Sequence, residues 1–406
     1  MKKVTVWIMG LAACLAAAGA QARVGCAVSL DRPVLPAGSE ERLIVKVALS
    51  APRTAASGRR PPVNLCVVLD RSGSMGGDKI VKAREAAVTA LRRLGAGDLF
   101  SLVIYDDRVE TVIPPTPAAR AEWIEARIRE IQPRGSTALF GGVSQGAAEI
   151  RRHVEDRAFI HRLLLLSDGQ ANVGPSSPID LERLGAALFK EEISVSTMGV
   201  GLDYNEALMT GIAATSDGNT YFVENAADLP RFFDAELGDV LSVAAKQVVV
   251  EITLPEGIRP LRTVGREGRI EGRRVTFDFN QLYGGQEKYM LLEVTVPAQA
   301  PDSRREIAVA RVVYEDAATL KRAEAAARAE AAFTASRAEV ERHIDAKVQN
   351  DYARNRAAEA REEAVRRNRA GDFAGAAAAI VTVNEDLSQL PGAAANAEVQ
   401  RQIDGN

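Results

Sequence analysis

The chain has 406 residues, 47% hydrophobic and 26% charged, a balance that excludes a disordered polymer and allows two or three domains at about 150 residues each. A net charge of −3 with 5% aromatic residues supplies neither the basic field nor the stacking platforms of a nucleic-acid binder. Three cysteines and three histidines are too few and too scattered for a disulfide scaffold or a zinc finger.

Lys2 and Lys3 form a basic start, the run Val4 to Ala18 is apolar, and Ala20-Gln21-Ala22 supplies small residues for cleavage. That order predicts a secretory signal over residues 1–22 and a mature chain beginning at Arg23, exported to the periplasm or cell envelope. Leu11-Ala12-Ala13-Cys14 also resembles a bacterial lipobox with Cys14 as the lipidated residue. The apolar run continues past Cys14, however, so cleavage after Ala22 is the preferred reading. No later stretch reaches the ~20 apolar residues of a membrane span. Cys26 and Cys66 remain, and export permits them a disulfide. Cys66 lies inside the strand-like run Val63–Leu69, where a lone cysteine acts as a small hydrophobe.

Residues 23–50 alternate in strand fashion around Asp31-Arg32-Pro33 and Pro36-Ala37-Gly38, and residues 51–62 (APRTAASGRRPP) read as a linker. From 63 to 245 apolar strands alternate with helices. Strands are expected at Val63–Leu69, Leu99–Tyr105, Val109–Ile113, Leu163–Leu166, Ile193–Val200 and Thr220–Val223. Between them fall helices at Asp78–Leu94, Ala118–Ile131, Leu139–Val154, Leu181–Glu191 and Tyr204–Thr215, with a last one over Leu229–Ala245. Period two returns in residues 246–336, at Val248–Leu254, Arg273–Phe279, Tyr289–Val296 and Ile307–Val313. Residues 320–336 are ambiguous, since propensity favours helix and the preceding strand favours a returning partner. Residues 337–406 are rich in Ala, Glu and Arg and read as a helical tail broken at Gly371-Asp372. The expected fold class is α/β: a Rossmann-like, doubly wound, mostly parallel sheet flanked by an antiparallel β-sandwich unit and the tail. Residues 24–50 are expected to join the sandwich, which makes the α/β domain an insertion.

Three segments end at one edge of the parallel sheet, where open α/β sheets bind ligands. Asp70-Arg71-Ser72-Gly73-Ser74 follows the first strand, Gly135-Ser136-Thr137 precedes a helix, and Ser167-Asp168-Gly169 follows the four-leucine strand. Alternate oxygen side chains on a tight turn can converge on one point, and a hard cation such as Mg²⁺ takes oxygens in octahedral geometry while keeping water. Taken separately, Asp70 and Ser72 could only cap a helix, and Asp168-Gly169 could only make a turn.

Taken together, Asp70, Ser72, Ser74, Thr137 and Asp168 resemble the metal-ion-dependent adhesion site of von Willebrand factor type A domains. The resemblance covers about residues 61–245. The flanking layout is similar to bacterial exported proteins built around such a domain and to the heavy chains of inter-alpha-trypsin inhibitor. The resemblance implies that Ser72, Ser74 and Thr137 contact the metal directly and that Asp70 and Asp168 bind it directly or through water. It further implies Mg²⁺ (or Mn²⁺ or Ca²⁺) as cofactor, a protein partner that completes the metal shell with an Asp or Glu carboxylate, and ligand contact coupled to movement of the last helix.

Other motifs are weaker. Gly73–Lys79 (GSMGGDK) loosely resembles a phosphate loop, but Asp78 stands where the final glycine belongs. Gly199-Val200-Gly201 lacks the third glycine of a dinucleotide fingerprint. His161 begins a strand at the end away from the serines, which argues against a serine triad. His153 and His343 lie in charged helical stretches, and Asp106, Asp107 and Asp203 suit turns better than metal contacts. The expected function is a metal-dependent binding module. An envelope scaffold with a structural metal ranks next, and a metal-dependent hydrolase ranks last because no general base accompanies the five residues.

Overall fold

The computed structural model describes residues 24–51, 60–168, 171–201 and 204–405. The expected signal segment with Cys14, the expected new N-terminus Arg23, the centre of the expected linker, Gly169 and Asp203 lie outside the described residues.

The chain opens with β1 (Gly25–Leu30), β2 (Val34–Pro36) and β3 (Glu41–Ser50). The α/β unit follows. Its first half comprises β4 (Val63–Asp70), α1 (Asp78–Arg93), β5 (Leu99–Tyr105), β6 (Val109–Pro117) and α2 (Ala121–Arg129). Its second half is α3 (Leu139–Arg151), β7 (Ile160–Ser167), α4 (Pro178–Lys190), β8 (Ile193–Val200), α5 (Glu206–Thr215), β9 (Thr220–Val223) and α6 (Leu229–Val240). The strands form one sheet in the order β6-β5-β4-β7-β8-β9, parallel except for β6 at the edge. β4 and β7 are buried at every position, as central strands covered on both faces must be. Alternation along β4 divides its side chains between two cores. Leu65, Val67 and Leu69 pack with α1, α2 and α6, whereas Cys66 and Val68 pack with α3, α4 and α5.

The second β unit contains β10 (Val243–Thr253), β11 (Arg259–Val264), β12 (Arg269–Glu271), β13 (Arg274–Tyr283), β14 (Glu287–Val296), β15 (Arg304–Asp316) and β16 (Arg322–Thr334). One sheet runs β1-β3-β14-β11 and the other β12-β13-β10-β15-β16-β2, with Val47, Leu49, Val250, Ile252, Phe277 and Leu292 in the core they share. Strands from before and after the α/β unit thus lie side by side, and the unit is looped out of a two-sheet body.

The structure moves the end of the last helix and decides a segment that the sequence left open. The last helix was expected to reach Ala245 but ends at Val240, and β10 begins at Val243. Val243 and Ala245 pair with Tyr283 and Leu282 of β13, and that ladder withdraws them from the helix. Residues 322–334 are a strand although Ala, Glu and Arg favour helix. Their strict alternation lets them pair along nearly the whole of β15.

The tail forms α7 (Arg337–Arg342), α8 (Ala346–Arg369), α9 (Phe373–Ser388) and α10 (Ala397–Asp404). Asp345 and Asp372 cap α8 and α9 by accepting from backbone N–H groups of their first turns. Val348, Tyr352 and Leu387 pack on Ile44, Val264 and Leu291, which docks the tail on the outer face of the four-stranded sheet. Among the described residues no helix is long and apolar enough to cross a membrane. Cys26 and Cys66 are both free thiols. Burial pushes the Cys66 thiol up to about 12, in keeping with a packing role.

His161, at the start of β7, faces Asn64 Nδ2 at 3.3 Å and is buried. Burial, helped by Lys246, lowers its pKa from 6.5 to about 4. The folded chain therefore refuses a proton that the unfolded chain accepts. Stability from this residue is complete above pH 6.5 and falls by roughly 3 kcal/mol as the pH drops to about 4. Urea midpoints measured across that range should fall less steeply in His161→Gln than in the parent. Equal slopes would contradict this assignment.

Candidate metal site

The site is built where β4 and β7 end side by side. Their register pairs Leu69 with Leu166, so Asp70 and Ser167-Asp168 emerge together at the carboxyl edge. Asp70 Oδ1 accepts from the backbone N–H of Ser72 at 2.8 Å, and its Oδ2 accepts from Ser167 Oγ at 2.6 Å. The first bond folds the chain back so that Ser72 and Ser74 face one another, with their hydroxyl oxygens 3.1 Å apart. Ser74 Oγ donates to Asp168 Oδ1 at 2.9 Å, and Lys79 Nζ donates to Asp168 Oδ2 at 2.9 Å. The 3-10 turn Gly73–Met75 is anchored by Met75, which is fully buried.

The third loop is tied to the other two through its backbone. Gly73 N donates to Gly135 O at 3.0 Å. Thr137 N donates to Asn172 Oδ1 at 2.8 Å, and Thr137 O accepts from the N–H groups of Asn172 and Val173. Gly135 has φ +73°, and a Cβ there would lie 2.2 Å from Asp107 Oδ1, so both conformation and space require glycine. Asp106 clamps the base of the loops. Its Oδ2 lies 2.8 Å from Nε of both Arg71 and Arg134, and its Oδ1 accepts from Arg108 N. Burial works against the Asp106 carboxylate, but Arg134, the Arg108 N–H and Arg71 hold its pKa below the ordinary value. Asp106 is thus a turn anchor, as its position beside Asp107 and Arg108 suggested.

Four of the five sequence-derived residues, Asp70, Ser72, Ser74 and Asp168, stand in one hydrogen-bonded series, whereas Thr137 stands on the neighbouring loop with its backbone bonded to Asn172 and Val173. Asp70, Ser72, Thr137 and Asp168 are all buried. Burial raises the Asp70 carboxyl to about 6; hydrogen bonds from Ser167 and Ser72 oppose the rise, and the charge of Asp168 adds to it. A group of carboxylates so placed gains from a cation. In an octahedral Mg²⁺ shell with bonds of about 2.0–2.1 Å, neighbouring oxygens lie about 2.9 Å apart. The Ser72–Ser74 and Ser74–Asp168 oxygens are hydrogen-bonded at 3.1 and 2.9 Å, so an octahedral shell could replace these bonds with little movement of the oxygens. The donor set therefore fits a small hard cation. Among the described residues no cluster of three or more His, Cys, Asp or Glu side chains is placed to hold a metal. This set has two carboxylates, and its remaining donors are hydroxyls.

Sequence reading missed Ser167, Asn172 and Lys79. Ser167 is the last residue of β7 and follows four consecutive leucines, and a hydroxyl at that point was an available signal. Lys79 was noticed only in the loop dismissed for phosphate. It is ion-paired with Asp168, and its charge is spent there rather than on a phosphate. His161 lies at the opposite end of β7 from the serines, and His343 is exposed.

Comparison with known proteins agrees with this architecture. Residues 64–235 match the von Willebrand factor type A domain. The uncharacterized protein sll0103 of Synechocystis is 27% identical over 314 residues, which is 73% of this chain and 72% of that protein. The uncharacterized protein YfbK of Escherichia coli is 26% identical over 268 residues, 64% of this chain and 46% of YfbK. Rat inter-alpha-trypsin inhibitor heavy chain H3 is 27% identical over 165 residues, 39% of this chain and 18% of that protein. The chain thus matches about half of YfbK and under a fifth of the heavy chain. Among solved structures, a von Willebrand factor type A protein from Catenulispora acidiphila superposes with a TM-score of 0.71 at 17% identity, covering 96% of this chain and 91% of that one. The ArnB paralog VWA2 of Sulfolobus acidocaldarius gives 0.60 at 16% identity and 93% coverage of both chains. At these identities the likeness is one of fold.

Proposed function

Since residues 64–235 are a von Willebrand factor type A domain, a fold suited to protein interaction, we propose that this chain is an exported, metal-dependent protein-binding module. In this reading Ser72, Ser74 and Thr137 give hydroxyl oxygens to a Mg²⁺ ion, and Asp70 and Asp168 give carboxylates directly or through water. The ion supplies a Lewis-acidic point at the carboxyl edge of β4 and β7. The partner completes its shell with an Asp or Glu carboxylate. The single observation that carries the reading is the run of oxygens from Ser72 through Ser74 to Asp168 at the spacing of an octahedral shell. Export rests on the basic and apolar start of the chain and on Ala20-Gln21-Ala22.

The chemistry of the edge favours binding over catalysis. Asp70 and Asp168 are engaged by Ser72, Ser167, Ser74 and Lys79, and Lys79 is ion-paired, so none stands ready as a general base. A scaffold with a purely structural ion is the alternative, and a partner test separates the two. The chain is used to capture proteins from envelope extract with Mg²⁺ and with chelator. In the captured partner, the acidic residue at the contact is then changed to its amide. Binding that needs both Mg²⁺ and the carboxylate is the expected result. An amide variant that binds as tightly, with chelator without effect on either form, would overturn the mechanism.

A further inference from the structure

Asp168 divides its two oxygens between different partners. Oδ1 accepts from Ser74, one of the hydroxyls assigned to the metal, and Oδ2 lies 2.9 Å from Lys79 Nζ. Lys79 is the second residue of α1, a position where the positive end of the helix dipole disfavours a cation. The helix therefore gains nothing from this charge, whereas Asp168 does. The side chain is about one-third exposed while that of Asp168 is 5% exposed, so the lysine covers the carboxylate from the solvent side. The lysine passes beside Gly201, the residue after β8, where a Cβ would stand in ordinary contact 3.6 Å from Nζ.

We infer that Lys79 is a tethered cation that competes with the divalent ion for Asp168 and so sets the affinity of the site. The inference rests on the metal reading above. An ion drawing on Asp168 must displace the ammonium from Oδ2 or accept it as a repelling neighbour. Without the ion, Lys79 neutralises the carboxylate and keeps the edge in register. With the ion in place, the freed ammonium adds positive charge beside the metal, on the side from which a partner's carboxylate would approach.

The test is calorimetric titration of the full chain with MgCl₂, comparing the parent with Lys79→Met, Lys79→Gln, Lys79→Arg and Asp168→Ala. Removing a single charge from beside a double charge should tighten Mg²⁺ binding by about tenfold or more in Lys79→Met and Lys79→Gln, even at a water-like dielectric. Lys79→Arg should stay near the parent, and Asp168→Ala should lose binding. Melting of the metal-free chains should show the two neutral variants slightly less stable and more strongly rescued by Mg²⁺. If the parent binds Mg²⁺ and both neutral variants bind no tighter, the inference falls and the metal site stands. If neither the parent nor the neutral variants bind, both fall. Binding by the neutral variants alone supports the competition in its strongest form.

Discussion

Arg162→Met should destabilise the folded chain by roughly 3–5 kcal/mol, the cost of breaking a buried ion pair from one side. Arg162 is fully buried, and it joins four elements. From β7 it reaches Ser196 Oγ on β8 at 3.1 Å, Gln281 Oε1 on β13 at 2.7 Å, and the Tyr283 hydroxyl, also on β13. Its Nη1 lies 3.5 Å from Glu236 Oε1 on α6. Glu236 is equally buried and accepts from Ser196 Oγ, Asn219 Nδ2 and the Tyr221 hydroxyl at 2.6, 2.8 and 2.8 Å. Without the guanidinium, a buried carboxylate keeps its neutral donors and loses its counter-charge, and Gln281 loses its donor. Adding Glu236→Gln removes the uncompensated charge, so the double variant should recover part of the loss. Urea unfolding checks both; a single-variant loss under about 1 kcal/mol would mean that water reaches the pair. The network also bears on the helix movement implied by the family resemblance. α6 is tied through Glu236 and Arg162 to β13, and three residues after α6 ends, Val243 opens β10. These contacts join α6 directly to the two-sheet body.

Asp168→Ala and Asp70→Asn should each weaken Mg²⁺ binding by at least about a thousandfold, because each removes one of only two charged donors. Their effects on the fold differ. Asp168 is buried, but its partners Ser74 and Lys79 reach solvent and can be hydrated without it, so its loss should leave the melting temperature of the metal-free chain nearly unchanged. Asp70 holds the Ser72 N–H and Ser167 Oγ in the interior, and Asp70→Ala would orphan the Ser72 N–H and remove one partner of Ser167, at about 1–3 kcal/mol. Asp70→Asn keeps an acceptor for Ser72 and removes the charge, which makes it the cleaner variant. Calorimetry with MgCl₂ and a melt without metal read the two effects separately. Unchanged affinity in both variants would rule out the assigned ligands.

The alternation of apolar strands and helices made the α/β sheet legible, because the apolar runs Leu65–Leu69 of β4 and Leu163–Leu166 of β7 need no tertiary context to be recognised. The site was legible for a related reason. Asp70 closes β4 and Asp168 follows β7, so locating the strand ends located both carboxylates of the candidate site. What stayed hidden depended on partners distant in sequence. The strand at 322–334 reads as helix by composition, and only β15 alongside gives its period of two a use. Arg162 looks like an interruption of an apolar strand until Glu236 and Gln281 stand opposite it. Lys79 looked like a fragment of a phosphate loop, since nothing in the local sequence places it against a carboxylate 89 residues further along. The docking of the tail depends on Ile44, Val264 and Leu291, outward-facing residues whose pattern only the sheet reveals.

Anomalous diffraction from crystals of the full chain grown with Mn²⁺, a scatterer of the same coordination preference, addresses the metal site most directly. The expected result is one strong anomalous peak within bonding distance of Ser72 Oγ and Ser74 Oγ, beside Thr137, Asp70 and Asp168, with Lys79 Nζ withdrawn from Asp168 Oδ2. A map at saturating Mn²⁺ with no peak among these oxygens and the Lys79–Asp168 pair still closed would contradict it.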